Sequence, residues 1–485
     1  MPIVLLTGAT GYIGRRLEKV LREQPDVQLR LLVRNARKLT AKTRSCAEVV
    51  EGDTFNHEAL NQALEGVDTA YYLIHSMGTG SDFSRLDRVS AENFRNAAIA
   101  QGVKKIIYLG GLGLRESASK HLASRIETGE ILSGRPDRIR TLWFRAGVII
   151  GAGSTSFEMV RHLVEKLPLM ITPRWVKTLT QPIGIDAVVA CLAAALSLDP
   201  PEDLVIDIGA PAMSFLAMLR ETARVLGLRR LIVPVPLLSP RLSSCWLTLM
   251  TPVPYKVGAA LVEGLKSETL VQNDHARQYF PQITPTPFAE SVRKAMDELE
   301  NDLVISRWCD SSAGIACDIP EQSEPGRTVF RDQRQMSFAG LPAARVFAAM
   351  VSLGGENGWF AHNFLWRVRG LMDKLVGGYG LNRGRRVGNT LRVGDALDFW
   401  KVADIVPDKR LLLLAQMKLP GKAWLEFDLQ GETLTQTAHF IPHGLFGRLY
   451  WYAVLPFHHF VFADLCKGII ARAATLGDAP EPSEE

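Results

Sequence analysis

The sequence has no C-x-x-C pair and no paired spacing among its six cysteines, Cys46, Cys191, Cys245, Cys309, Cys317 and Cys466. That excludes a disulfide framework or a cysteine metal cluster and leaves buried or incidental thiols in a reducing compartment. His439, His443, His458 and His459 also lack metal-ligand spacing with Cys or Asp, so no metal is expected. No uninterrupted apolar run reaches the roughly 18 residues of a membrane span. No signal peptide precedes the apolar segment that starts at Ile3, which makes the expected location cytoplasmic. There is no basic tract: the net charge of +5 is spread along 485 residues, which does not argue for nucleic acid. What is present, 47% hydrophobic and 22% charged residues, builds a sizeable core, and the length suits two or three domains.

The most informative stretch is the first. The apolar run Ile3-Val4-Leu5-Leu6 leads into Thr7-Gly8-Ala9-Thr10-Gly11-Tyr12-Ile13-Gly14. This predicts a buried strand, a glycine turn and a helix starting near Tyr12, with Ile13, Leu17, Val20 and Leu21 on one face. Glycines there permit a tight turn and let backbone N–H groups approach a pyrophosphate at the positive end of the helix. Thr7, Gly8, Thr10, Gly11, Tyr12, Ile13 and Gly14 are therefore candidate cofactor-binding residues.

Alternating elements follow. Gln28–Val33 reads as a second strand, and where NAD-binding folds hold an acid at its end, this chain has Arg34, then Asn35, Arg37 and Lys38. A guanidinium suits a 2′-phosphate, so NADP is expected over NAD; the alternative is a solvated basic turn. Residues 49–53 end a third strand, with Asp53 and Thr54 expected near the adenine. A helix at His57–Leu64, a strand at Asp68–Ile74, a Gly-rich loop at 75–80, a helix near Phe83–Gln101 and a strand at Lys105–Leu109 complete the pattern. Strands alternating with amphipathic helices mean an α/β fold: a doubly wound parallel sheet with the ligand at the carboxyl ends of the strands.

T-G-A-T-G-Y-I-G, Gly52-Asp53 and the run 101–109 (QGVKKIIYL) resemble the atypical, NmrA-like branch of the short-chain dehydrogenase/reductase family over about the first 300 residues. The resemblance implies a Rossmann domain at 1–150, a small substrate lobe at 151–305 and, in active members, a Ser after the fifth strand and a Tyr-x-x-x-Lys on the next helix. This chain has Gly110-Gly111-Leu112-Gly113 and then His121-Leu122-Ala123-Ser124-Arg125 instead. His121 and Arg125 share a helical face. An imidazole can replace the tyrosine as proton donor and Arg125 can hold ribose hydroxyls, and both are the candidate catalytic residues. The alternative is an ordinary surface histidine beside ordinary hydroxyls.

In the lobe, a helix is expected at Phe157–Leu167, another capped by Asp186, a strand at Leu204–Ile208 and a Ser-capped helix at Ser214–Leu226. Trp175 could line the pocket or be core. The proline-broken apolar stretch 232–265 could wall a cavity or simply pack. Residues 306–328, rich in Ser, Asp, Gly, Pro and Glu, form a linker. Beyond it a helix (Phe364–Val376), strands near 389–402, 410–417, 422–429 and 432–440, and an apolar-faced helix at 446–475 broken at Pro456 resemble the helix-grip fold of START and polyketide-cyclase-like proteins over 329–478. They also resemble a domain of unknown function fused behind such dehydrogenases. The resemblance implies a hydrophobic ligand; Trp400, Met417, Trp424, Phe440, Tyr450, Trp451 and Phe457 are candidate lining or plain core. Arg383, Arg385 and Arg386 form a solvated cluster or, alternatively, an anion site. Tyr450, Trp451, Tyr452, Phe457, Phe460 and Phe462 also suit contact with a membrane surface, which would make the protein peripheral to an inner membrane. The reading is an NADP-dependent oxidoreductase for a small apolar carbonyl or quinone-like substrate; the rival is a non-catalytic NADP(H) sensor or assembly protein.

Overall fold

The computed structural model describes residues 1–75, 83–235, 263–264, 267–300, 329–375, 391 and 393–476. The chain divides into two compact units, Met1–Gly314 and Ile315–Glu485. The expected linker, the loop after His75, most of the proline-rich stretch, the 383–386 arginines and the side chain of Trp175 lie outside the described residues.

The N-terminal unit is a Rossmann fold. Its strands are β1 (Ile3–Thr7), β2 (Gln28–Val33), β3 (Glu48–Glu51), β4 (Val67–Tyr72), β5 (Lys105–Gly111), β6 (Arg140–Ala146) and β7 (Leu204–Ile208). All pair in parallel, in the order β7-β6-β5-β4-β1-β2-β3. The order reverses between β1 and β4, which opens the crevice where ligands of such sheets bind. Helices cover it: α1 (Tyr12–Arg22), α2 (His57–Leu64), α3 (Phe83–Ala100), α4 (Lys120–Leu132), and later α5 (Thr155–Lys166), α6 (Ile185–Ala194), α7 (Phe215–Val225) and α8 (Phe288–Glu300). On α1 the predicted stripe is the buried one: Leu17 and Leu21 are fully enclosed in the core with Val188 and Leu192 of α6. Each such leucine contributes about 1.5–3 kcal/mol by leaving water.

The lobe has its own core, in which Phe157, Val160 and Val164 of α5 meet Met218 and Leu219 of α7 and Val292 of α8. It is tied back to α1 by an ion pair, Arg16 Nη2 to Glu298 Oε2 at 2.6 Å, with the guanidinium buried. Ser214 caps α7 as its sequence suggests, accepting from the Ala217 N–H. Asp186 does not cap α6. The helix starts one residue earlier, at Ile185, its cap position is Gly184 with no side-chain bond, and Asp186 sits exposed in the first turn.

The C-terminal unit is an antiparallel sheet gripped by a long helix. Its strands are β8 (Phe330–Ser337), β9 (Ala396–Leu397), β10 (Trp400–Val406), β11 (Arg410–Ala415), β12 (Gly421–Gln430) and β13 (Thr433–Pro442), ordered β8-β13-β12-β11-β10-β9. Helices α9 (Ala343–Val351) and α10 (Asn363–Leu375) precede β9, and α11 (Gly444–Thr475) closes the chain. Leu425, Phe427 and Leu429 of β12 point into the core, as their alternation requires, and meet Val461, Leu465 and Ile469 of α11. Two expectations need correction. The strand near 389–402 is split into β9 and β10 by a turn at Asp398, held at φ +55° by tertiary contacts that include the Trp359 indole N–H on its carboxylate, 2.8 Å away. And α11 is not broken at Pro456 but runs through it: the ring is on the exposed side, where water can satisfy the carbonyl that loses its N–H partner.

Candidate functional site

The glycine turn joins β1 to α1 at the crevice. Gly8 has φ +72°, and a Cβ there would stand 2.6 Å from the Leu73 carbonyl oxygen. A Cβ on Gly14 would stand 2.1 Å from the Gly8 carbonyl oxygen, so only hydrogen lets the helix close on the turn. The Gly11 N–H donates to that same oxygen at 2.8 Å, and Gly11 occupies the cap position of α1 with no side-chain bond. No acidic residue stands in the first turn. Elsewhere in the unit, Asn56, Ser119, Ser154 and Ser214 do cap their helices with side-chain oxygens. The first turn of α1 therefore keeps its N–H groups and its positive end for an anion. These features fit a dinucleotide pyrophosphate.

The side chains of the turn do other work. Thr7, fully buried, donates to Tyr71 O at 2.9 Å and accepts from Leu73 N at 3.1 Å, fastening β1 to β4 below the turn. Tyr12 packs its hydroxyl against Gly151 and its ring under the Arg16 guanidinium, 5.3 Å from the centroid; burial raises its pKa well above the usual phenol value. What these residues offer a cofactor is backbone. Ile13 packs its side chain on the core, and Thr10 is half-buried beside the turn.

At the end of β2, Arg34 is exposed, and the cations Arg37 and Lys38 follow it. The Glu51 carboxylate, from the end of β3, accepts from the Ala36 N–H at 2.5 Å, which ties the basic turn down. Asp53 accepts from the Phe55 and Asn56 N–H groups at 2.9 and 3.1 Å and so shapes its own loop. Thr54 is buried, its hydroxyl 2.7 Å from Ser90, which also meets the Tyr72 hydroxyl. Its hydroxyl is thus spent inside the fold, leaving only backbone for an adenine.

At the carboxyl ends of β4 and β5 the structure assembles groups from three elements. His121 on α4 stacks on Phe83 of α3, with ring centroids 4.2 Å apart and planes within 8°. His75, just past β4, meets it edge-on at 6.5 Å. The Nδ1 of His75 lies 3.3 Å from Asp87 Oδ2, and the same carboxylate oxygen accepts from Ser124 Oγ at 3.0 Å. Arg125 donates to Leu109 O at 3.2 Å, at the end of β5. Burial, with the Arg125 guanidinium adding to it, holds both imidazoles below the ordinary histidine range, against the pull of Asp87. They are neutral near pH 7. A carboxylate on Nδ1 favours the tautomer with its proton there, which leaves Nε2 of His75 free to accept or relay one.

Spacing in the sequence brings His121 and Arg125 to one helical face, whereas His75 and Asp87 meet only in the fold. Asp87 did leave a signal. It shares the i, i+4, i+7, i+11 stripe of α3 with Ala91, Phe94 and Ala98, all buried, and a carboxylate on such a face needs a partner. No serine stands at the end of β5: Leu122 lies 2.7 Å from where a Cβ on Gly111 or Gly113 would be, and Ser124 is committed to Asp87.

Comparison with known proteins bears on the fold and on the cofactor class. Residues 8–133 match the family model described as NAD(P)H-binding, and residues 325–465 match one described as a protein of unknown function, DUF2867. Ceramide reductase of Caulobacter vibrioides is 26% identical over 329 residues, 66% of this chain and 90% of that protein. Quinone oxidoreductase 2 of Escherichia coli is 32% identical over 132 residues, 27% of this chain and 44% of that protein. Auxiliary protein GraX of Staphylococcus aureus is 30% identical over 117 residues, and the chain spans only 36% of its length. Among solved structures, Citrobacter sp. triphenylmethane reductase superposes with a TM-score of 0.51 at 22% identity, over 61% of this chain and all of that one. Its complex with NADP(H) gives 0.50.

Proposed function

From an N-terminal NAD(P)H-binding domain of the NmrA-like, atypical short-chain dehydrogenase/reductase type, fused to a DUF2867 domain, we propose an NADPH-dependent reductase of an apolar carbonyl or quinone-like substrate. The observation that carries the proposal is the side-chain-free turn beside an uncapped helix, with two imidazoles, a carboxylate and a guanidinium gathered at the ends of the neighbouring strands. The names of two relatives, a ceramide reductase and a quinone oxidoreductase, favour an apolar substrate. The exposed Arg34, with Arg37 and Lys38 beyond it, favours the 2′-phosphate form of the cofactor.

When bound, the nicotinamide would supply a hydride to the substrate carbon. The backbone of Gly8–Gly14 would hold the diphosphate and Arg34 the phosphate on the ribose. His121, or His75 through Nε2, would deliver a proton to the oxygen, with Asp87 holding the His75 ring in place. Because burial keeps both imidazoles neutral at pH 7, proton delivery would strengthen as pH falls toward and below 6.5.

Leu122, occupying the space beside Gly111 and Gly113 in a chain without Tyr-x-x-x-Lys, favours a second reading, a cofactor-sensing protein without turnover. Fluorescence titration with NADPH and NADH, followed by NADPH oxidation against long-chain ketones and quinones, separates the two. A reductase turns over one of these classes, and Asp87→Asn and His121→Ala each lower kcat at unchanged NADPH affinity. Tight NADPH binding with no turnover on either class means the sensor; no nucleotide binding rejects both.

A further inference from the structure

The C-terminal unit carries apolar surface that its own core does not use. On α10, Phe364, Val368, Leu371, Met372 and Leu375 recur at the spacing of one helical stripe, and all five are exposed, Phe364 and Leu375 at 73%. The side turned inward is Trp366, Gly370 and Asp373. The first half of α11 repeats the arrangement: Leu445, Phe446, Leu449, Tyr452, Phe457 and Phe460 are exposed, Phe446 at 80%. At 1.5 Å per residue this second stripe is roughly 22 Å long. From Val461 onward α11 reverts to ordinary amphipathic behaviour, with Val461, Leu465, Cys466 and Ile469 buried and Lys467 and Arg472 exposed. Arg369 Nη2 lies 3.4 Å from the Tyr450 hydroxyl, so a long side chain of α10 reaches α11.

Within both stripes the exposed charge has one sign; Asp464, one turn beyond Phe460, is paired with His362 and Lys467. The single acid between Asn363 and Leu375 is Asp373, which is buried and accepts from the Lys418 N–H at 2.7 Å. Between Leu445 and Ala463 there is none. Arg367 and Arg448 are exposed, each about 40° beyond the nearer edge of its stripe at 3.6 residues per turn. An apolar stripe edged by arginine is the pattern of a helix lying in a membrane interface.

We propose that α10 and the first half of α11 seat the protein on an anionic phospholipid bilayer, with the aromatic and aliphatic side chains among the acyl chains and the arginines at the headgroups. By length and composition Leu445–Thr475 could cross a membrane, but its second half belongs to the core of the unit, so the helix lies along the surface instead. A second copy of the chain is a poorer occupant. Pairing this face with itself would bring arginines toward arginines with no exposed acid on α10 or the first half of α11 to receive them. Of the residues whose sequence suggested membrane contact, Tyr452, Phe457 and Phe460 belong to this face, whereas Trp451 and Phe462 are buried. The inference needs neither cofactor nor turnover and stands or falls apart from the reductase reading.

Flotation of the full-length protein with vesicles of phosphatidylcholine, with and without phosphatidylglycerol, tests it. The protein is expected to float with the anionic vesicles. The pair Leu371→Ser and Leu449→Ser, both at exposed positions, should lower partitioning roughly tenfold or more. Arg367→Gln and Arg448→Gln should each cost about fivefold on anionic vesicles and little on neutral ones. The proposal is overturned if the unaltered chain floats with neither vesicle, or if the serine pair floats as well as the unaltered chain. It is also overturned if sedimentation shows a dimer that the serine pair dissolves and anionic vesicles leave intact, which would assign the face to a second copy.

Discussion

A methyl group at position 14 would stand 2.1 Å from the Gly8 carbonyl oxygen, and one at position 8 would need a left-handed backbone as well as space it does not have. The cradle is therefore set by two missing side chains, and in the proposed reading its selectivity by Arg34. Arg34 projects into solvent at the end of β2, so replacing it disturbs no packing. A charge-assisted hydrogen bond to a phosphate is worth about 1.5–3 kcal/mol. Arg34→Asp should accordingly weaken NADPH binding by about tenfold to a hundredfold and leave NADH binding equal or better, read by fluorescence titration with both. An unchanged ratio would remove Arg34 from the site. His458 makes a different kind of statement. Burial beside Trp451 and Phe462 lowers its pKa to about 4, against the pull of Asp332 3.7 Å away. As pH falls below 6.5 the unfolded chain takes up this proton first, so folded stability declines down to about pH 4 and this contribution is constant below that. The loss is about 3 kcal/mol across that window. Urea unfolding at several pH values should show it, and His458→Phe should flatten it.

The parts of the fold that could be read from the sequence are those where one local signal dominates. β2, α2 and β7 begin and end where their apolar runs and breakers place them, and α1 buries Leu17 and Leu21 as its stripe requires. Departures came where tertiary contacts outweigh local preference. Asp398 takes a left-handed conformation because Trp359 and the turn around Gly354 hold it there, and a strand is cut in two. α11 continues through Pro456 because the core residues beyond it, Val461 to Ala473, hold the helix on the sheet. A proline inside a helix costs about 3 kcal/mol relative to alanine. Pro456→Ala, on the exposed side, should therefore raise the unfolding temperature of the C-terminal unit; no change would mean the helix is already relaxed around the ring. The site divides in the same way. The glycine turn is legible because its chemistry is contiguous, whereas the pairing of His75 with Asp87 joins the end of a strand to the next helix across a loop and shows only once the fold is known.

Each unit of the molecule owns its core. The clusters around Leu6, Phe157 and Phe94 contain residues of the first 300 positions, and the one around Phe399 contains residues from Phe338 onward. Calorimetry should resolve two transitions. NADPH at about a hundred times its dissociation constant should stabilise one of them by about 2.7 kcal/mol and leave the other where it was. A single transition moved as a whole would show that the units unfold together.

The N-terminal unit, by contrast, cannot be shortened to the segment that carries its signature. Arg16, buried on the helix that forms the cradle, is neutralised by Glu298, 282 positions later in the chain. At about 5–20 residues per second a ribosome needs on the order of tens of seconds to cover that distance. Throughout that interval the nascent polypeptide has its nucleotide-recognition sequence but not the Glu298 carboxylate that accompanies the guanidinium out of water, so burial of Arg16 waits on a residue made long after the cradle itself.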